Sequence, residues 1–247
     1  MTKRPAISVA VCLGGELFFY GLFWSGIVLA LLTLNVAANG VFGTVEASVW
    51  AGGFDLTRYL FVAAGAMVIV ACLPMYVAQG ITRRAFIAGA IPAGLAVAFL
   101  ATGAATAVYG LEGVVYDIAD WPHVLDAGRD RHLYDRPDDY GPIFVELFAV
   151  YSAQLMSGMA IAATFYRFGP VIGVLFVPLT ALPAVATEMA LGAGGAGQVI
   201  GDALDLTPPA ATAGLLVSAG ALVAGGLGIR ALVKDITIDN QTVVWWR

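Results

Sequence analysis

Apolar residues in this chain come in long continuous runs, separated by short polar interruptions. They do not alternate with polar residues, so the period-two signature of a lipid-facing β-barrel strand is missing. Crossing a bilayer as a helix takes roughly 20 apolar residues. On that length scale the pattern predicts an all-α, polytopic membrane fold of six spans, at about 6–34, 58–79, 86–109, 142–166, 170–191 and 209–232. One transmembrane domain, residues 1–247, then accounts for the whole chain, with its longest polar stretch an outer loop at 110–141. The connections at 80–85 and 167–169 are very short. No internal repeat, low-complexity linker or soluble domain is evident.

Composition strengthens this reading. Hydrophobic residues make up 60% of the chain and charged residues 12%, with mean hydropathy +0.86, whereas soluble domains carry about 25% charged residues. A chain so poor in charge could not cover its own surface in water; in a bilayer it has no need to. The 30 glycines suit helices that approach closely in lipid. Cys12 and Cys72 both lie in apolar runs and read as small hydrophobes rather than a disulfide. Lys3 and Arg4 precede an apolar run reaching Leu34, too long for a signal peptide, so it reads as a first span.

Charge sets the expected orientation, because short basic loops stay cytoplasmic. Lys3, Arg4, Arg83, Arg84, Arg167, Arg230, Lys234 and Arg247 all fall on one side of a six-span layout, which puts both termini inside. The other side receives most acids: Glu46, Asp55, Glu112, Asp117, Asp120, Asp126, Asp130, Asp135, Asp138, Asp139, Asp202 and Asp205. It also receives Arg58, Arg129, Arg131 and Arg136. The net charge of −5, with its acids gathered in a few loops, argues against nucleic-acid binding, which needs a basic footprint. The aromatics Tyr116, Trp121, Tyr134 and Tyr140 among those acids suit a segment lying at the membrane surface.

Motifs are few. Gly192, Gly194 and Gly197 match G-x-G-x-x-G, but that pattern binds a dinucleotide only between a strand and a helix of a βαβ unit. Here the glycines imply a flexible or tightly bent outer connection, and the run 184–205 is a candidate to dip back into the membrane. His123 and His132, with Asp120, Asp126 and Asp130, match no compact zinc spacing, and no metal site is expected. Glu16, Glu146 and Glu188 lie within or at the end of apolar spans. A carboxylate there faces a bundle interior, a cavity or a partner, which leaves a structural hydrogen bond, an interface contact or a transport pathway open. Proton coupling is disfavoured, because no Lys, Arg or His is expected within the membrane to complete a relay. Phe18, Phe19, Tyr20, Phe23 and Trp24 cluster in the first span, as lipid-facing or packing residues or as a ligand surface. Ser157-Gly158 lacks the partners of an intramembrane serine protease, no aspartate pair lies within spans, and no Walker lysine appears. No catalytic residues are assigned.

The stretch Gly80-Ile81-Thr82-Arg83-Arg84-Ala85-Phe86, followed by Gly89, resembles the cytoplasmic loop between spans two and three of actinobacterial ABC transporter permeases of the type-2 exporter class. Tyr166-Arg167-Phe168-Gly169 resembles their second cytoplasmic loop, and 230–238 their short exit after span six. The resemblance implies a half-transporter in a bacterial plasma membrane, pairing with a second permease subunit as a homo- or heterodimer. Each would dock a separate ATP-binding cassette subunit, which would carry the ATP and magnesium; no cofactor is expected on this chain. Gly80, Thr82, Arg83, Arg84 and Phe86 would form the coupling element, with Arg167 and Phe168 in the second loop. The family's amphipathic helix before span one is shortened or missing here, and the outer segment is longer than the family leads one to expect. A non-transporting accessory protein and an ion-coupled carrier are the competing readings; a carrier would show repeats or broken helices in matching halves.

Overall fold

A computed structural model describes residues 5–42, 48–122, 124–125, 133–234 and 236. Among these the regular structure is helical, with no strand. Helix α1 spans Pro5–Phe42. Helix α2, Val49–Met67, passes through a π turn at Val68–Cys72 into α3, Leu73–Ala78. Then follow α4 (Arg83–Ala119), α5 (Tyr140–Thr180), α6 (Leu182–Leu191), α7 (Gly195–Ala203) and α8 (Ala211–Val233). Four stretches are long and apolar enough to cross a membrane: Leu56–Ala78, Arg83–Ala119, Tyr140–Leu191 and Ala211–Val233; Pro5–Leu17 is a shorter apolar helix.

The π turn has a local cause. Pro74 has no N–H to give the carbonyl one turn back, and its ring crowds that carbonyl. The helix widens just before it, with Leu73 N–H bonding the Val68 carbonyl. Inside α5, Gly169 has φ 78° and ψ 178°, a conformation open to glycine. The chain folds back there. Ser157 Oγ sits 3.0 Å from the Ala184 amide and Gln154 Nε2 2.6 Å from Glu188 Oε1, so the arms on either side of Gly169 lie together. The short break expected at 167–169 is this hairpin.

Several expected boundaries move. The first helix continues to Phe42 rather than ending at 34, and the second begins at Val49 rather than 58. The third continues past 109 to Ala119, so the first part of the expected outer loop is helix. Leu111, Val114, Val115 and Ile118 form an exposed apolar stripe on this extension, while Glu112 and Tyr116 are buried on its opposite side. Counting acids as loop residues hid that helical period. His123, His132, Asp126 and Asp130 lie outside the described residues, as do Lys3, Arg4 and Arg247 and the side chains of Phe18, Tyr20, Phe23 and Trp24. Phe19 is exposed.

Close contacts fix the helix directions. Gly89 abuts the Ala6 carbonyl and Gly14 faces Ala93, so α1 and α4 run parallel. Gly94 faces Leu155 and Gly110 faces Tyr140, so α4 opposes the first arm of α5. Gly214 meets Ala190 and Gly225 meets Pro183, so α8 opposes α6. Helix α2 runs beside the first arm of α5 at very short range: a Cβ on Gly65 would strike the Leu155 carbonyl, and one on Gly158 the Val62 carbonyl. Two backbones approach this closely only where side chains are missing. Phe61 and Tyr151 stack across the same seam, their ring centres 4.5 Å apart.

These directions collect the chain's connections at two ends. One end, the turn end, holds the start of α1, the α3–α4 turn, the Gly169 hairpin and the end of α8. The other, the corner end, holds the start of α2, the end of α4, the start of α5 and the connection from α6 through α7 to α8.

Candidate functional site

The α3–α4 turn is built from local signals. Gly80, at φ 86°, follows the last turn of α3. Its amide bonds the Val77 carbonyl at 2.9 Å and that of Ile81 the Tyr76 carbonyl at 3.1 Å. This pair of bonds is the glycine-terminated closure that satisfies the last helix carbonyls. Thr82 then caps α4, its Oγ1 accepting from the Ala85 amide at 3.3 Å, as its position before the helix predicts. Arg84 is exposed and Arg83 half-buried, both at the first turn of α4. Phe86 is fully buried, its ring 5.5 Å from that of Tyr76. It pins α4 to α3, and the groups left for an outside partner are Thr82, Arg83 and Arg84.

Register brings the second basic turn to the same end. Arg167 Nη1 donates to the carbonyls of Ala231 and Leu232 at 3.0 and 3.1 Å. The guanidinium therefore closes the last turn of α8, where helix carbonyls and the dipole favour a cation. It also lies 5.1 Å from the centre of the Phe168 ring, which is partly exposed and stacked on Phe176. Arg230, in the last turn of α8, and Lys234, its C-cap, are exposed beside this hairpin.

The three span carboxylates separate. Glu16 is on an exposed side of α1, whereas Glu146 and Glu188 are each 1% exposed inside the bundle. Glu188 centres a polar cluster at the corner end. Its Oε1 accepts from Arg58 Nη1 at 3.2 Å and from Gln154 Nε2 at 2.6 Å, and its Oε2 from the Gly197 amide at 2.8 Å. Arg58 Nη2 also donates to the Ala193 carbonyl at 2.8 Å. The cluster thus joins α2, α5, α6 and the turn into α7.

This corrects the expectation that Arg58 marks the outer edge of the second span and that no basic residue accompanies the buried acids. Because α2 starts at Val49, Arg58 lies well inside the helix and is 4% exposed. The glycine motif is corrected in its detail and kept in its outline. Gly192, Gly194 and Gly195 all take positive φ, making the tight bend that the sequence implied. What the bend surrounds is the protein's own carboxylate. A Cβ on Gly195 would lie 2.7 Å from both Arg58 Nη1 and Glu188 Oε1, and one on Gly197 would strike Glu188 Cβ.

Two further residues had no assigned role in the sequence. Glu112, buried in the extension of α4, accepts from Ser48 Oγ at 2.6 Å and the Trp50 amide at 3.2 Å. A carboxylate there satisfies the start of α2 and suits its positive dipole end. Ser157, in the pair that lacked a protease pattern, accepts from the Ala184 amide in the first turn of α6 and so caps that helix from another element. Among the described residues no group of His, Cys, Asp and Glu is placed to hold a metal ion. No protein-family model, curated protein or solved structure matches this chain.

Proposed function

We propose that this chain is the six-span permease subunit of an ATP-driven exporter in a bacterial plasma membrane, with both termini in the cytoplasm. The spans in this reading are α1, α2 with α3, α4, the first arm of α5, its second arm with α6, and α8. A second permease subunit completes the membrane part, and an ATP-binding cassette subunit supplies ATP and magnesium. The observation that carries the reading is the turn end. Two short turns, one closed by hydrogen bonds at Gly80 and Ile81 and one reversing at Gly169, lie at one end with Arg83, Arg84, Arg230 and Lys234. Such a surface is stiff enough to pass motion from a docked subunit to α4 and positively charged enough to stay in the cytoplasm.

The break between α5 and α6 at Ala181, followed by the glycine corner, favours the carrier reading as a second possibility, since carriers bind ions at broken helices. The first half interrupts a helix at the π turn Val68–Cys72, but the helix runs on through it, so among the described residues the two breaks differ in kind. Affinity purification in mild detergent separates the readings. The exporter requires an ATPase subunit to co-purify, and Arg83→Ala/Arg84→Ala to lose that subunit or its coupling while the membrane domain stays folded. Wild-type protein that purifies alone and moves an ion in proteoliposomes without ATP would establish the carrier instead. An unchanged ATPase association in the double variant would remove these arginines from the coupling role.

A further inference from the structure

Helix α7 is held to the bundle from one side only. Val199, Ile200 and Leu204 are exposed, while Gly197 packs on Glu188 and Met189 of α6. Its entry is a run of backbone conformations that glycine adopts readily, with Gly192, Gly194 and Gly195 at φ 62°, 78° and 73°. What fastens this corner is polar. Arg58 grips it at two points, Glu188 before the bend and the Ala193 carbonyl within it, and the same Glu188 holds the Gly197 amide beyond it. Gln154 steadies Glu188 from α5. A buried ion pair of this kind is worth little net stability, yet removing one partner is costly, because it strands the other charge. It therefore behaves as a two-position fastening rather than as general cement.

The surroundings are uneasy when closed. Thr187 Oγ1, next to Glu188, and Tyr151 Oη, one turn before Gln154, are both buried with no hydrogen-bond partner among the described residues. Buried hydroxyls are ordinarily paired, so the polar side chains on the helices that carry Glu188 and Gln154 are not all satisfied in the closed bundle.

We propose that Arg58–Glu188 is a latch, and that the glycine bend with α7 is a flap which it closes over the polar interior at this end of the bundle. The flap swings on Gly192, Gly194 and Gly195 when Glu188 loses its charge or its partner. Ala193, 2% exposed, sits within the glycine bend itself, and its accessibility reports the flap's state.

The test uses the full chain in proteoliposomes, with Cys12→Ala and Cys72→Ala removing the native thiols and Ala193→Cys as the reporter. A water-soluble, membrane-impermeant maleimide should label the parent slowly. Glu188→Gln keeps the side chain's shape and removes the charge, and it should label roughly tenfold faster, the scale of a lost charged hydrogen bond. Gln154→Ala leaves the ion pair intact, and it should raise the rate by less, about threefold. Fast labelling of the parent would overturn the proposal, because the flap would then stand open. Equal, slow labelling in every variant that elutes as folded protein would also overturn it, leaving the pair a static brace. Should Glu188→Gln not fold, Gln154→Ala decides by the same comparison. No ATPase or transport readout enters, so a failed latch leaves the exporter reading standing, and a failed exporter reading leaves the latch standing.

Discussion

The two ends of this bundle use charge in opposite ways. At the turn end, Arg84, Arg230 and Lys234 are exposed, and the turn geometry comes from adjacent residues: Gly80 ends α3 and Thr82 starts α4. At the corner end, Arg58, Glu188 and Glu112 are buried, and each meets a partner far away in sequence. An exposed charge adds little to stability, so the fold does not depend on what it meets. A buried charge is committed to its partner, and the fold depends on the match. The turn end is therefore the place to look for a docked protein, and the corner end the place to look for internal control.

That contrast can be broken by mutation, most forcefully at the corner end. Arg58→Ala strands Glu188 inside the bundle and should cost about 3–5 kcal/mol, read as a large fall in thermal unfolding temperature in detergent. If unfolding is unchanged, water reaches Glu188 and the corner is not a dry site. Next in size is the seam between α2 and α5. Gly158→Leu drives a side chain into the Val62 carbonyl and should cost about 1–3 kcal/mol, as overpacking does. Loss of a single sharp peak on size exclusion would report it, while full stability would mean that α2 can move away freely.

The turn end should yield smaller numbers. Thr82→Ala removes the cap on α4 and should cost about 1 kcal/mol, with Thr82→Ser close to wild type. Smallest is Arg84→Ala, a change at an exposed site, expected within about 0.5 kcal/mol of wild type in unfolding even where it abolishes association with an ATPase subunit. A strongly destabilised Arg84→Ala would erase the distinction between the two ends.

Legibility followed the same division. Gly80, Thr82 and the break before Pro170 could be read directly, because capping and chain reversal depend on residues within one turn of each other. Phe86 was placed in the coupling element, and its complete burial against Tyr76 needed the neighbouring helix. Glu188 was marked as costly in an apolar run, yet its partner was not visible: Arg58 precedes it by 130 residues and looked like a boundary charge. Glu112 was hidden for a related reason. Its helix continues on an apolar stripe that polar neighbours interrupt in the linear sequence and only the helical period realigns.

The sequence by itself determined that this is a helical chain with stretches long and apolar enough for a membrane, and where its tightest turns fall. Those properties are sums over local runs of residues, and apolar length and backbone propensity decide them. Tertiary structure alone decided which glycines let α2 meet α5, which serine caps α6, and that Arg58 finds Glu188. Such matches depend on helix register and on burial, which convert a charge from a solvated group into one that must find a partner. A sequence lists the candidates for those partnerships, and only the packed bundle brings them within hydrogen-bonding distance.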